Sequence, residues 1–305
     1  MTAVTKKHRV RYKREETRAA WICLLPSVIG LLFITYLPMI ASFALSLFSW
    51  NGLGEMKFIG FENNIRLYTR DTKFYGSLLT TLEYAGISVA GSIVYSMIIA
   101  MLLNRRIPAR GFFRAVFYLP YVLPALAVYL GWKWLYDTNH GFFNYVIKSA
   151  GGTSLKFLDS SALVTPSLAM IAVWLSGNLI VIFLAGLQNV PRTYHEAAEI
   201  DGANAWHRFW KITIPCMTPI IFYNLLMSLV SNLQVITPAL SLTKGGPGTG
   251  SYFMCYMLYT QAFKSHKYGY GSAIAVILFL IIAVFTAILF ATSKGWIFYE
   301  GDDRE

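Results

Sequence analysis

Six stretches of this chain lack the alternation of polar and apolar positions that a water-facing surface requires. They cover residues 20–49, 80–104, 115–135, 162–187, 217–242 and 270–293, and each is about as long as a helix needs to be to cross a bilayer. Backbone groups in hydrocarbon must be paired within their own segment, so these runs predict an all-α integral membrane protein with six transmembrane helices. The first run contains Pro26 and Pro38, which predicts a kink or tilt, and the fifth holds Pro219 near its start and Pro238 near its end.

Composition leaves little room for another class. The 305 residues are 56% hydrophobic and only 13% charged, against about a quarter charged in ordinary soluble domains. The first run follows a basic stretch, KKHRVRYKREETR, but it is far longer than a signal-peptide core of about 7–15 residues and no small-residue cleavage site closes it. It reads as a retained span. Cys23, Cys216 and Cys255 lie in or beside apolar segments and are expected to be buried thiols rather than a disulfide framework.

The formal charge of +11 changes the picture only through its distribution. The basic residues are scattered between apolar runs without a nucleic-acid-binding signature, so membrane lipid is the expected partner and nucleic acid is not. With the N-terminus inside, sixteen Lys and Arg fall in inner segments and nine in outer loops, leaving Lys133 at a span end. Arg105, Arg106, Arg110 and Arg114 supply four of the inner residues, and Lys294 and Arg304 supply two in the tail. Inner loops retain positive charge, so both termini are expected in the cytoplasm. Within the runs only Glu83 and Lys133 are charged, and both lie toward an end. Ion-coupled carriers keep ionisable residues deep in the membrane, and that equipment is missing here.

The fourth loop, residues 189–215, reads NVPRTYHEAAEIDGANAWHRFWKITIP and is not a bare linker. Asn189 can cap a helix with Pro191 in its first turn, Glu196-Ala197-Ala198-Glu199 continues it, and Gly202 can end it in a left-handed conformation. A second short helix over 203–211 carries Trp206, Phe209 and Trp210 among polar residues, as an interfacial or partner-facing element would, and Pro215 is expected to open the fifth span.

Glu196, Ala197, Ala198, Gly202, Ile212 and Pro215 together resemble the EAA loop of binding-protein-dependent ABC importer permeases, with Ile214 where that family usually has Leu. FIGFENNIRLYTRDTKFYGSLLTTL, FRAVFYLPYVLPALAV and PALSLTKGGPGTGS resemble further segments of the sugar-importer branch, the maltose and glycerol-phosphate type of inner-membrane subunit. The resemblance spans about the whole chain. It implies a permease domain over 20–294 with a basic tail over 1–19 and a short tail over 295–305, placed in the bacterial cytoplasmic membrane. It also implies that Glu196, Ala197, Ala198 and Gly202, with Ile212 and Pro215, form a cytoplasmic helical loop that docks on a separate ATPase. The implied partners are a second permease, two ATPase subunits that bind ATP and Mg, and an extracytoplasmic solute-binding protein. This chain would hold no cofactor or metal and would not be an enzyme.

Other chemistries fit less well. Residues 245–250 match G-x-x-x-x-G, yet Ser251-Tyr252 stands where a phosphate loop needs Lys and Ser/Thr, so a turn is expected. His195-Glu196-Ala197-Ala198-Glu199 superficially resembles a zinc-protease helix, but Glu199 replaces the second histidine. An ion-coupled or facilitative secondary carrier is the alternative reading, and neither a membrane-embedded carboxylate nor an internal repeat supports it. A solute path would use Trp174, Ser176 and Asn178 in the fourth span, and Asn232 and Gln234 with Asn224, Ser228 and Ser231 in the fifth. Neutral amides and hydroxyls beside aromatic rings suit a neutral polyol. The same side chains could instead join helices within the bundle.

Overall fold

A computed structural model describes residues 3–298, and the side chains of 14–298. The basic side chains before Arg14 and the tail beyond 298, Arg304 included, lie outside the described residues. The helices in chain order are α1 (Ala3–Gly30), α2 (Leu37–Leu45), α3 (Glu62–Thr69), α4 (Phe74–Asn104), α5 (Arg110–Val122), α6 (Ala125–Leu135) and α7 (Phe142–Ser149), continuing with α8 (Ser161–Trp174), α9 (Gly177–Asn189), α10 (Arg192–Ile200), α11 (Ala205–Arg208), α12 (Ile214–Leu233), α13 (Met254–Tyr259) and α14 (Tyr268–Ser293). A two-residue antiparallel ribbon, β1 (Phe48–Ser49) with β2 (Lys57–Phe58), follows the first span.

Four helical stretches are long and apolar enough to cross a membrane unbroken: Arg14–Leu45, Phe74–Asn104, Ala205–Leu233 and Tyr268–Ser293. Two helix pairs are together long and apolar enough to cross but are bent at a short break, α5 with α6 at 98° and α8 with α9 at 48°, which makes six crossings if each pair is one span. The third and fourth apolar runs are therefore not straight rods. Pro124 cannot donate a backbone hydrogen bond and disfavours helix at Leu123, which holds an extended conformation (φ −67°, ψ 145°). In the first span a π turn over Leu31–Tyr36 precedes Pro38 and carries the helix through.

α4 is the central helix, packed against α8, α9 and α12. Its buried positions include Ser77, Thr81, Ala85, Ser88, Ser92, Ser96 and Ala100, a stripe at helical spacing. Small side chains let neighbouring backbones approach closely, which is how helices associate where no water drives them together. Gly177, at the start of α9, makes a similar approach. A Cβ there would lie 2.8 Å from the Phe117 carbonyl oxygen of α5.

Three apolar clusters fill the bundle. One joins α4, α6, α8 and α13 around Tyr84, Trp132, Tyr136 and Phe253, and a second joins α4, α9 and α12 around Leu103, Phe183 and Met217. The third joins α3, α13 and α14 around Leu67, Met254 and Ile274. The first span stands apart. Nothing in its most apolar window is buried, and Phe43 meets α14 edge-on at Phe279, 5.5 Å between ring centres. Cys23 is exposed on it, while Cys216 and Cys255 are half-buried, which corrects the expectation of three buried thiols.

Candidate functional site

A cavity of about 590 Å³ opens between α4, α5, α6, α9 and α12. Three interruptions of helix converge on it. Leu123 and Ala125 come from the first break, Leu175 and Ser176 from the second, and Gln234 to Pro238 from the end of α12. The fifth span was expected to run to residue 242. It ends instead at Leu233, and a π turn over Ala239–Thr243 follows the break. Irregular backbone within an apolar layer is tolerated where it lines a polar cavity, because freed N–H and C=O groups need partners that hydrocarbon cannot supply.

Ser176, Asn178, Asn232 and Gln234 all line this cavity, as do Asn224, Ser228 and Ser231. Trp174 does not: it packs edge-on against Trp132, 5.6 Å between ring centres. The hydroxyl of Ser176 lies 2.9 Å from that of Ser96 and donates to the Val173 carbonyl at 2.6 Å, so it joins helices as well as lining the wall. Asn232 donates within its own helix to the Ser228 carbonyl at 2.8 Å. Asn224 is fully buried, and neither atom of its amide has a hydrogen-bond partner among the described residues.

Sequence reasoning did not identify the aromatic part of the wall. Tyr84, Tyr121, Tyr129 and Tyr223 line the cavity, with Ser92 from the buried stripe of α4. Tyrosines inside apolar runs carry no distinct hydropathy signal. The serine spacing on α4 is the one signal that could have pointed to this face. Among the described residues no Asp, Glu, Lys, Arg or His lines the cavity, so the wall this chain supplies offers neutral donors, acceptors and ring faces.

The 189–215 loop forms a helical hairpin at one end of the bundle. α10 ends in a Schellman arrangement: Gly202 is left-handed (φ 78°), its N–H reaches the Glu199 carbonyl at 3.1 Å, and the Ala203 N–H reaches the Ala198 carbonyl at 2.8 Å. Asn204 then caps α11, its side-chain oxygen accepting from the His207 N–H at 2.8 Å. An ion pair between Arg208 and Glu199 ties the two short helices together.

Several local expectations shift. Asn189 ends α9 rather than capping α10, Pro191 occupies the cap position itself, and the second short helix begins at Ala205. Pro215 does not open a separate span. α11 continues through a π turn over Phe209–Thr213 into α12, giving one unbroken stretch from Ala205 to Leu233. At 1.5 Å per residue that stretch is about 44 Å long. Pro215 comes just after that π turn and inside the unbroken stretch, so the N–H it lacks falls where the helical ladder is already shifted in register. Glu196 and Ala197 are exposed on α10, Ala198 is half-buried, and Ile212 and Pro215 are half-buried at the joint. Ile200 is 88% exposed and Trp206 69% exposed, an apolar surface that the bundle itself leaves uncovered.

Residues 245–250 form a turn with left-handed Gly245 (φ 89°) and Gly248 (φ 59°). The Gly250 carbonyl accepts from Thr165 at 2.7 Å and the Thr249 carbonyl from Thr80 at 2.9 Å, which fastens the turn to α8 and α4.

Comparison with known proteins agrees with this architecture. The chain is 37% identical over 298 residues to the probable ABC transporter permease YesP of Bacillus subtilis (strain 168), covering 95% of each chain. It is 35% identical over 282 residues to the multiple sugar-binding transport system permease MsmF of Streptococcus mutans serotype c, covering 90% of this chain and 94% of that one. A crystal structure of a bacterial alginate ABC transporter, in complex with an alginate pentasaccharide-bound periplasmic protein, contains a chain of the same fold (TM-score 0.81, 20% identity, 94% and 97% covered). Residues 92–295 match the family described as binding-protein-dependent transport system inner membrane component, and the chain belongs to that family.

Proposed function

We propose that this chain is one permease subunit of an ATP-driven importer, and that it passes a neutral sugar or oligosaccharide across the bacterial cytoplasmic membrane. The observation that carries this reading is the pairing of an uncharged, tyrosine- and amide-lined cavity with a helix that joins its wall to the exposed hairpin. A sugar presents hydroxyls that need neutral partners and C–H faces that stack on rings, and Ser228, Asn232, Gln234 and Tyr223 offer both. An anionic saccharide would call for a cation in the wall, and among the described residues none lines it. The name of the relative MsmF, a multiple sugar-binding transport system permease, points the same way.

In this reading the hairpin faces the cytoplasm and docks on an ATPase subunit, with Glu196 and the Ala197–Ala198 face of α10 at the contact. ATPase closure displaces α10 and α11, and the rod from Ala205 to Leu233 carries that movement to the cavity. A second permease completes the path, two ATPases supply the work, and a solute-binding protein delivers sugar at the opposite end. The test is purification of the complete complex and its reconstitution in vesicles. Sugar-loaded binding protein is expected to stimulate ATP hydrolysis and drive sugar uptake that persists with an ionophore present. Uphill accumulation by this chain reconstituted alone, or uptake abolished by the ionophore, would refute the assignment.

A further inference from the structure

A second pocket, of about 370 Å³, lies where the hairpin meets the ends of the spans. Its lining brings together Met101, Leu187 and Phe209 with Arg105, His195 and Arg208. Among the described residues no carboxylate lines it. Glu199 engages one guanidinium nitrogen of Arg208. Two other arginines of the same connection are held elsewhere. With its amide turned to satisfy both, Gln188 accepts 2.9 Å bonds from Arg110 and Arg114. Arg105 follows the last residue of α4 in an extended conformation (φ −68°, ψ 160°) and lines the pocket.

A wall that is part hydrocarbon and part cation selects its occupant. A small soluble anion has no use for the apolar half, whereas a phospholipid with a net negative headgroup uses both. Its phosphate ester sits on the guanidiniums, and its upper acyl chain lies on Met101, Leu187 and Phe209. Trp206 and Trp210 flank the wall residue Phe209 in sequence and are exposed, and tryptophans gather at the headgroup layer. We propose that this pocket holds the headgroup of an anionic phospholipid, wedged between the hairpin and the span ends. The lipid would brace the joint through which the hairpin moves the spans, a consequence that rests on the transport reading above.

The experiment uses the complete transporter in nanodiscs of phosphatidylcholine alone or with phosphatidylglycerol. It reads lipid retained on extraction, by native mass spectrometry, and ATP hydrolysis stimulated by sugar-loaded binding protein. The wild type is expected to retain phosphatidylglycerol in preference to phosphatidylcholine. Arg105→Gln should lower that retention by about fivefold, the effect of one basic residue at an anionic surface, and Arg105→Lys should preserve most of it. Stimulated hydrolysis should rise with phosphatidylglycerol in the wild type and not in Arg105→Gln. Equal retention of the two lipids, or retention unchanged in Arg105→Gln, overturns the site. If millimolar inorganic phosphate displaces the lipid and restores stimulation in phosphatidylcholine alone, the phosphate group is recognised but the lipid assignment falls. A crosslink from Arg105→Cys to a partner subunit that blocks lipid retention in the native membrane would give the pocket to protein instead. Selective retention without stimulated hydrolysis in any lipid would support the site and count against the transport reading.

Discussion

At the end of the bundle away from the hairpin, Asn144 alone makes three hydrogen bonds: its amide nitrogen donates to the carbonyls of Asp137 and Leu155, and its oxygen accepts from the Leu155 N–H at 2.8 Å. Asn63 does similar work there, donating to the carbonyls of Ser46 and Phe48. Tyr136 donates to Ser167, Tyr270 to Asp71, and the Met254 N–H reaches Thr81. At the hairpin end, α10 and α11 meet through one left-handed glycine, one asparagine cap and one ion pair, and leave Ile200, Trp206 and Trp210 exposed. The first end ties its loops to the bundle through buried side chains of its own, although Leu53, Phe58, Phe61 and Tyr145 stay exposed there and the Asn64 side-chain oxygen has no partner among the described residues. The second is held by its own turn, cap and ion pair, and under the proposed function a docked ATPase completes it. Substitutions at the far end should therefore act mainly on stability, and those at the hairpin mainly on coupling.

The largest effect that would break this contrast is at Gly202. Its left-handed conformation and its N–H bond to Glu199 are both denied to proline. Gly202→Pro should cut sugar uptake at least about tenfold while membrane abundance and the melting temperature in detergent stay near wild type, given that surface hairpins contribute little to a distant core. Glu196→Lys should do the same through the proposed docking face. A mutant that transports normally at equal abundance would remove the hairpin from the coupling route.

Next in size is Asn144→Ala. Removing a fully buried amide leaves two carbonyls and an N–H without partners, which should cost about 2–4 kcal/mol of stability. Thermal unfolding in detergent measures this, and uptake per folded molecule should hold. A stable variant that had lost transport would erase the distinction between the ends.

Asn224 sharpens the comparison from the middle of the bundle. Its amide is buried and unpartnered, so Asn224→Leu, close in size, should leave stability unchanged or raise it by about 1 kcal/mol. A drop in stability would mean that the amide has a partner when the complex is assembled. The smallest effect is at Asp137, where the N–H groups of His140 and Asn139 hold the carboxylate below its usual range. A depressed pKa contributes stability that is present above the unfolded value, about 3.9, and is lost as pH falls through the folded value. Asp137→Asn should flatten that shallow acid limb, read as the unfolding midpoint between pH 5 and 3.

Much of this was legible in the residues. Apolar run length marked the stretches that can cross, four as unbroken helices and two as bent pairs, because hydrocarbon thickness sets a minimum length, and the left-handed glycine and turn at 245–250 followed from residue type alone. The breaks at Leu123–Pro124 and Leu175–Ser176 were not legible as bends. Hydropathy counts apolar residues but carries no direction, and Pro124 by itself resembles Pro26, which sits inside α1 without ending it. The cavity was half legible: its amides and hydroxyls stood out against an apolar background, and its tyrosines did not. The continuity of α11 with α12 was hidden by Pro215, since a proline inside an unbroken helical stretch looks the same in sequence as one that begins a new element.

The outlying first span has an implication of its own. A segment whose apolar window is nowhere covered by its own chain meets either the surrounding film or a neighbouring subunit. The film constrains its length and greasiness, and only a neighbour would constrain the identity of each side chain between Trp21 and Ile40. A graft of generic leucines in that post separates the two: assembly and uptake that stay intact mean that it faces lipid alone.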